Sequence, residues 1–246
     1  MQKSLLIIIP AYNESRRVSR CLNDIDFYIS KNSLSKLIRV VVIDDGSLDD
    51  TKEVVNNWIK KECTNKECFS VISYLPNRGK GYAVREGFLK VDSDYVLYTD
   101  ADGAAPIQEA ERLINAIDKG ADMAIGSRVL KDETSKVKMG FKRRLVGRIF
   151  HTILKACSLA DVYDTQCGFK LFKTHVAKKL AENQQCFGFS FDIEYLYLAK
   201  KFGYKIKEVP INWTHVEGSK VSLLRDSIKM LVEVLKIRFI YRYNSP

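Results

Sequence analysis

The sequence has no apolar run long enough to cross a lipid bilayer. A membrane-spanning helix needs about 20 mostly apolar residues, and no apolar run in this 246-residue chain approaches that length. Met1 to Ser4 lead directly into five apolar residues and Pro10, which is too short for the core of a signal peptide. We therefore expect the chain to stay on the cytosolic side of any membrane that it contacts.

Several motifs of common catalytic and metal sites are also missing. The 6 cysteines contain no CxxC pair and the 3 histidines stand alone, so the sequence predicts reduced thiols, no zinc site and no histidine-based triad. Neither the P-loop pattern nor Gly-x-Gly-x-x-Gly occurs. Their absence removes the usual support for an NTPase or a dinucleotide-binding protein.

Acidic residues are outnumbered, with 40 Lys and Arg against 30 Asp and Glu and a formal net charge of +10. The excess is concentrated between Arg128 and Lys155, where nine basic residues stand with two acidic ones. Such a segment attracts nucleic acids, anionic membranes or phosphorylated ligands. No RNA-binding signature accompanies it, so we predict a phosphorylated ligand and a membrane surface as partners, and no nucleic acid.

What the sequence does contain, through its first half, is an alternation of β-rich apolar runs and helical patterns. Strands are predicted at Leu5–Ile9, Ile38–Ile43, Phe69–Tyr74, Tyr95–Thr99 and Met123–Gly126. Helices are predicted over about residues 15–30, from Asp49 or Asp50, from near Gly79, and from Pro106 as a first helical residue. Repeated βα units predict an α/β fold with a mostly parallel sheet flanked by helices.

The second half has a different pattern. Apolar residues between Phe141 and Leu154 recur at helical spacing with basic residues at the other positions. Further helices, a strand near Lys205–Ile211 and a last amphipathic helix over about residues 221–243 follow. Because no Pro-, Gly- or Ser-rich linker divides the halves, we predict one domain over residues 1–246.

Polar clusters follow four of the predicted strands. They are Pro10-Ala11-Tyr12-Asn13-Glu14, Asp44-Asp45, Asn77-Arg78-Gly79-Lys80 and Asp100-Ala101-Asp102. Ligands of open α/β sheets bind beyond the carboxyl ends of the strands, so these clusters should meet at one edge. The sequence therefore predicts a polar ligand site there.

Each cluster is open to two interpretations. Asp100 and Asp102 suit Mg²⁺ or Mn²⁺, which bind through one or two carboxylates together with substrate phosphates, or they could cap the following helix. Asp44 and Asp45 could likewise cap a helix or accept a hydrogen bond from a nucleotide base. Gly79 and Lys80 could approach a diphosphate at a helix N-terminus or form a plain turn.

Taken together, these motifs resemble those of glycosyltransferase family 2, whose members have the GT-A fold. The resemblance covers nearly the whole chain and is carried by residues 9–14, 42–47, 77–81, 100–103, 125–128, 164–172, 191–194, 212–214 and 217–220. The last four segments look like those of the dolichyl-phosphate β-glucosyltransferases. Gly103-Ala104, where dolichyl-phosphate mannosyltransferases usually continue to a Gln, favours the glucosyl branch.

The resemblance implies roles for individual residues. The nucleotide sugar would be bound by Pro10, Ala11, Tyr12, Glu14, Asp44, Asp45, Gly79, Lys80, Asp100, Ala101 and Lys220. The catalytic group would be Asp100, Asp102, Arg128, Arg143 and Arg144, with Asp102 as the ligand of Mg²⁺ or Mn²⁺. Arg143 and Arg144 would meet the acceptor phosphate, and Arg128 the diphosphate side.

The implied activity is an inverting transfer of a sugar, expected to be glucose from UDP-glucose, onto a polyprenyl phosphate (dolichyl or undecaprenyl). About residues 1–130 would bind the donor, and about residues 131–246 would face the acceptor and the membrane. The alternatives are another donor such as GDP-mannose, or a saccharide acceptor. A saccharide acceptor needs a carboxylate base, for which Asp192 or Glu194 would serve.

Eukaryotic members of this group carry an N-terminal membrane helix, whereas this sequence begins at its first strand. We therefore expect peripheral attachment to the cytosolic face of a membrane, that of the endoplasmic reticulum if the protein is eukaryotic or the inner membrane if it is bacterial. The amphipathic segment 141–157 and the basic helix 221–243 are the candidates for lying in the interface. Alternatively, both apolar faces pack into the core of the domain.

Overall fold

The computed structural model describes residues 3–34, 36–138 and 162–216, together with Glu233 and Tyr241. The amphipathic segment predicted over residues 141–157 lies outside the described residues. The same holds for the helix predicted over 221–243, apart from Glu233 and Tyr241, which are both helical.

A seven-stranded sheet lies at the centre of the described structure, with strand order β3-β2-β1-β4-β7-β5-β8. The strands are β1 Leu5–Ala11, β2 Ile38–Asp44, β3 Phe69–Ser73, β4 Tyr95–Thr99, β5 Met123–Ser127, β6 Val137–Lys138, β7 Phe169–Lys173, β8 Ile206–Pro210 and β9 Trp213–Thr214. All neighbours in the sheet are parallel except β7, which runs antiparallel to β4 and β5. The predicted mostly parallel sheet is therefore confirmed, and β6 and β9 form a separate parallel pair.

Helices cover both faces of this sheet. They are α1 Val18–Lys31, α2 Thr51–Lys61, α3 Lys80–Leu89, α4 Ala110–Asp118, α5 Thr174–Asn183 and α6 Phe191–Lys201. Side chains of β1 alternate between the two faces: Leu5, Ile7 and Ile9 pack with α1, α2 and α4, while Leu6 and Ile8 pack with α3, α5 and α6. Burial on both faces explains why β1 is a continuous apolar run.

The prediction that Pro106 is a first helical residue is wrong. Its ψ of 139° is extended, and a 3-10 turn over Ile107–Glu109 precedes α4. Ala104, two residues before Pro106, accepts a hydrogen bond of 2.9 Å from the N–H of Thr214 in β9. The α-helix begins only at Ala110.

Two further expectations concern membranes and thiols. In the part of the chain that the structure describes, no helix is both long and apolar enough to cross a membrane. The five described cysteines are all free thiols, as predicted. Burial, as the largest influence, raises the pKa of Cys21 and of Cys167 to about 12.

Candidate active site

The loops after β1 and β2 are joined by hydrogen bonds at the carboxyl edge of the sheet. The Asn13 side chain accepts from the N–H of Leu48 at 2.7 Å, and the Asn13 N–H donates to Ser47 Oγ at 2.8 Å. The Glu14 N–H donates to Thr51 Oγ1 at 2.7 Å. Asn13 has a φ of 54°, which asparagine tolerates better than most residues. Tyr12, in the loop after β1, is 36% exposed at this edge.

Asp44 and Asp45 both lie buried at the end of β2 and anchor different loops. Asp44 accepts from the N–H of Ser47 at 3.1 Å and from Ser73 Oγ at 2.8 Å. Asp45 accepts three hydrogen bonds of 2.8 Å, from Asn77 Nδ2 and from the N–H groups of Arg78 and Gly79. The N–H of Thr51 at the start of α2 is instead bound by Asp49 Oδ1 at 3.0 Å. Asp49, and neither Asp44 nor Asp45, therefore binds the first N–H group of α2, and Asp45 fixes the loop before α3.

Replacing Asp45 with Ala should loosen the loop that carries Lys80. The N–H groups of Arg78 and Gly79 lose their acceptor, and Asn77 Nδ2 keeps only the Asp45 carbonyl. We therefore expect the free energy of unfolding to fall by about 2–3 kcal/mol and the affinity for UDP to fall at least about tenfold. Urea denaturation and calorimetric UDP titration measure the two effects. The control is Asp132→Ala, which removes an exposed carboxylate that binds the N–H groups of Thr134 and Ser135. Unchanged UDP affinity in Asp45→Ala would contradict the anchoring role.

Lys80 begins α3 and reaches the first of the two acidic residues. Its Nζ lies 2.6 Å from Asp100 Oδ1, and their side chains are 21% and 40% exposed. Burial opposes the charge on Lys80, but the carboxylates of Asp100, Asp192 and Asp102 outweigh it and raise the pKa of Lys80. The residue before Lys80 has to be glycine, since the φ of Gly79 is 104° and an added Cβ would stand 2.4 Å from the Phe187 carbonyl oxygen. Lys80 is thus a cation at a helix N-terminus, a position that attracts anions such as phosphate.

Asp102 completes the acidic pair. Its Oδ1 accepts from the N–H of Ala104 at 3.0 Å. Burial and then the charge of Asp100 raise the pKa of Asp102, so the two carboxylates repel each other. Among the described residues, no group of three or more His, Cys, Asp or Glu side chains could hold a metal ion. Two neighbouring carboxylates suit Mg²⁺ or Mn²⁺, which take further oxygens from phosphate and water.

Arg17 is a site residue that the sequence analysis missed. It forms a two-pronged ion pair with Glu14, with Nε to Oε2 at 2.8 Å and Nη2 to Oε1 at 2.6 Å. The hydrogen bond to Glu14, with further contributions from the charges of Asp102 and Asp100, raises the pKa of Arg17. The i,i+3 spacing of Glu14 and Arg17 was the available signal. The Glu14 carboxylate, predicted to bind the nucleoside, is therefore held by a neighbouring cation.

Arg128 lies at the end of β5 and is paired with Asp164, a partner that sequence reasoning did not assign. Nε and Nη2 of Arg128 each lie 2.7 Å from the Asp164 carboxylate, which also accepts the Arg128 N–H at 2.8 Å. The guanidinium stands 5.5 Å from the centre of the Trp213 ring. Although burial works against its charge, Asp164 raises the pKa of Arg128. Its role toward the diphosphate stays a prediction.

The two carboxylates named as bases for a saccharide acceptor are both buried and occupied. Asp192 binds Lys170 and the Tyr98 hydroxyl. Glu194 is 0% exposed and accepts from the N–H groups of Gln185 and Cys186 at 2.8 and 2.9 Å. A general base must reach the proton that it removes. The burial and existing partners of both carboxylates therefore weigh against the alternative of a saccharide acceptor.

The remaining predicted site residues divide into two groups. Pro10 and Ala11 are the buried last residues of β1, and Ala101 is buried between Asp100 and Asp102. Arg143, Arg144 and Lys220 lie outside the described residues. The structure thus brings the described clusters of the predicted donor site to one edge of the sheet. The predicted acceptor-site arginines are not among the described residues.

Comparison with known proteins agrees with this geometry. The family described as glycosyl transferase family 2 matches residues 6–181. Dolichyl-phosphate β-glucosyltransferase of Saccharomyces cerevisiae is 38% identical over 96% of this chain and 75% of its own length. The enzymes of that name from Dictyostelium discoideum and Homo sapiens are 36% and 32% identical, over 96% and 97% of this chain and 74% and 76% of theirs.

Solved structures with a similar fold are more distant in sequence. Glucosyl-3-phosphoglycerate synthase from Mycobacterium tuberculosis in complex with UDP has a TM-score of 0.68 at 18% identity, over 96% of this chain and 80% of that one. Its complex with Mn²⁺ and UDP-glucose has a TM-score of 0.68 at 17% identity, over 94% and 79%. This likeness confirms the predicted GT-A fold.

Proposed function

Because the chain belongs to glycosyltransferase family 2, we propose that it transfers glucose from UDP-glucose to a polyprenyl phosphate. The observation that carries this proposal is the meeting of Lys80 with Asp100 and Asp102 beside the Tyr12 loop. That arrangement supplies one cation and two carboxylates at the edge where a nucleoside diphosphate would bind. The names of relatives that are 32% to 38% identical support glucose as the sugar and dolichyl phosphate as the acceptor.

In this proposal the donor lies along the carboxyl edge of the sheet. The base stacks on Tyr12, and the nucleoside is also held by Pro10, Glu14 and Asp44. Lys80 contacts the diphosphate. Asp102 would hold Mg²⁺ or Mn²⁺, which when bound offsets the charge that develops on the leaving diphosphate. Lys80 contributes to the same charge stabilisation from a position fixed by its helix.

The acceptor phosphate would meet Arg143 and Arg144 and attack the anomeric carbon from the face opposite UDP, with inversion. A phosphate monoester is already ionised near neutral pH, so this reaction needs no strong general base. That requirement agrees with the burial of Asp192 and Glu194. Membrane contact through the segments 141–157 and 221–243, at a cytosolic face, would bring the lipid acceptor to the site.

A transfer assay with two donors and two acceptors tests the proposal. Radiolabelled UDP-glucose and GDP-mannose are each offered with dolichyl phosphate or a soluble oligosaccharide, in detergent with Mn²⁺. We expect UDP-glucose with dolichyl phosphate to give at least about 100-fold more label in the product than any other pair of donor and acceptor. The reason is that a site built to bind one group rejects ligands that leave its polar groups unpaired. Transfer to the oligosaccharide, or from GDP-mannose, at an equal rate would overturn the assignment of acceptor or donor respectively.

A further inference from the structure

Gly168 lies in direct contact with the Asp100 carboxylate. A Cβ added to Gly168 would stand 2.1 Å and 2.4 Å from the two carboxylate oxygens of Asp100 and 2.3 Å from its Cγ. These distances are far inside van der Waals contact, so no other residue fits without a displacement. The φ of Gly168 is outside the left-handed region that favours glycine. The contact with Asp100, and not the backbone conformation, therefore requires glycine here.

The turn that carries Gly168 is held from two sides. The Asp100 N–H donates to the Gly168 carbonyl at 3.1 Å, next to the pairing of Thr99 with Phe169. On the far side, the buried Lys170 donates from Nζ to the Cys167 carbonyl at 2.9 Å. Because backbone bonds of this kind fix the peptide on each side of Gly168, the turn has little freedom to retreat from the carboxylate.

The same carboxylate is paired with Lys80, whose Nζ lies 2.6 Å from Oδ1. Asp100 is thus in contact with both a cation and Gly168. A shift away from Gly168 would change the direction in which Asp100 points at the rim, and with it the distance to Asp102. Displacements of about 1 Å at a reacting centre can lower a rate about 100-fold.

We propose that Gly168 is a positioning residue. Because it has no side chain, the Asp100 carboxylate can lie against Lys80 in the orientation that the donor requires. The effect on catalysis rests on the proposed function, since Asp100 belongs to the donor site there. The steric coupling of Gly168 to Asp100 is a property of the fold and is measurable without any substrate.

A double-mutant cycle in the full chain separates these two parts. Gly168→Ala alone should lower the Tm by roughly 3–10 °C because of overpacking. Gly168→Ala in an Asp100→Ala background should change the Tm by less than about 2 °C, because the atoms that clash have been removed. Gly188→Ala is the matched control, since its added Cβ would meet the nearest atom at an ordinary 3.5 Å.

Kinetics then tests the positioning role. Gly168→Ala should lower kcat for glucose transfer at least about 100-fold with little change in KM for UDP-glucose, the pattern of an interaction that matters in the transition state. A loss confined to KM would overturn it. An additive Tm cycle, or failure of the double variant to fold, would overturn the coupling whether or not the wild type transfers glucose. If the Tm cycle is non-additive but the wild type transfers no glucose, the coupling stands and only the proposed function is contradicted.

Discussion

Asp102→Asn is expected to reduce glucose transfer roughly a thousandfold while leaving the protein at least as stable as the wild type. Asparagine keeps the side-chain oxygen that accepts the Ala104 N–H but removes the negative charge that would hold a divalent cation. Loss of one preorganised electrostatic contact costs about 10²–10³ in rate, and loss of a metal ligand adds to it. Measurement of kcat/KM with UDP-glucose and dolichyl phosphate tests this expectation.

The stability of the same variant has a definite sign. Burial and the neighbouring Asp100 raise the pKa of Asp102 above its ordinary 3.8, which means that the folded state disfavours the charged form. The penalty is full at pH values above the raised pKa and disappears below the ordinary one. Without metal, Asp102→Asn should therefore have a Tm equal to or above that of the wild type at neutral pH, and the two should converge in acid.

A divalent cation should reverse that order. Saturating Mn²⁺ is expected to raise the Tm of the wild type in the presence of UDP, because binding to the native state stabilises it, and to leave Asp102→Asn unchanged. Asp92→Asn, an exposed aspartate at the end of the sheet opposite the site, should behave as wild type in both experiments. Full activity or a normal Mn²⁺ shift in Asp102→Asn would refute the metal assignment.

Lys170→Met is expected to lower the free energy of unfolding by about 3–5 kcal/mol, more than Asp45→Ala or Lys90→Met. Lys170 is 0% exposed and its Nζ binds Asp192, the Tyr98 hydroxyl at 2.9 Å and the Cys167 carbonyl at 2.9 Å. Methionine matches its length but supplies no donor or charge. The Asp192 carboxylate would then be buried without its cation, which is far more costly than the loss of one hydrogen bond.

Urea denaturation compared with an exposed ion pair isolates the effect of burial. Lys90 lies 3.3 Å from Glu86 and is 55% exposed, so Lys90→Met should change the free energy of unfolding by less than about 1 kcal/mol. Adding Asp192→Asn to Lys170→Met should restore part of the lost stability, since the unpaired charge is gone. Equal effects of Lys170→Met and Lys90→Met would show that the buried network contributes no more than a surface pair.

Sequence reasoning found most of the sheet but not β7. Its residues are apolar except for Lys170 and the terminal Lys173, and a lysine inside a short apolar run argues against a buried strand. The strand is buried because Asp192 on α6 neutralises that lysine, and a partner 22 residues away along the chain is invisible to local pattern. For the same reason, the sequence offers Asp192 as a candidate base, because its ion pair with Lys170 is visible only in the structure.

The sequence alone determined the alternation of strands and helices, and with it the edge where the polar clusters meet, because periodicity and strand-end position are local properties. It also predicted that Asp100, Asp102 and Lys80 belong to one site, and the structure places Lys80 against Asp100. Only the tertiary structure decided which distant charges pair with one another: Arg128 with Asp164, and Lys170 with Asp192. It also decided that Gly168 contacts Asp100. Such pairings depend on how loops distant in sequence are brought together by the sheet, and sequence spacing does not specify those distances.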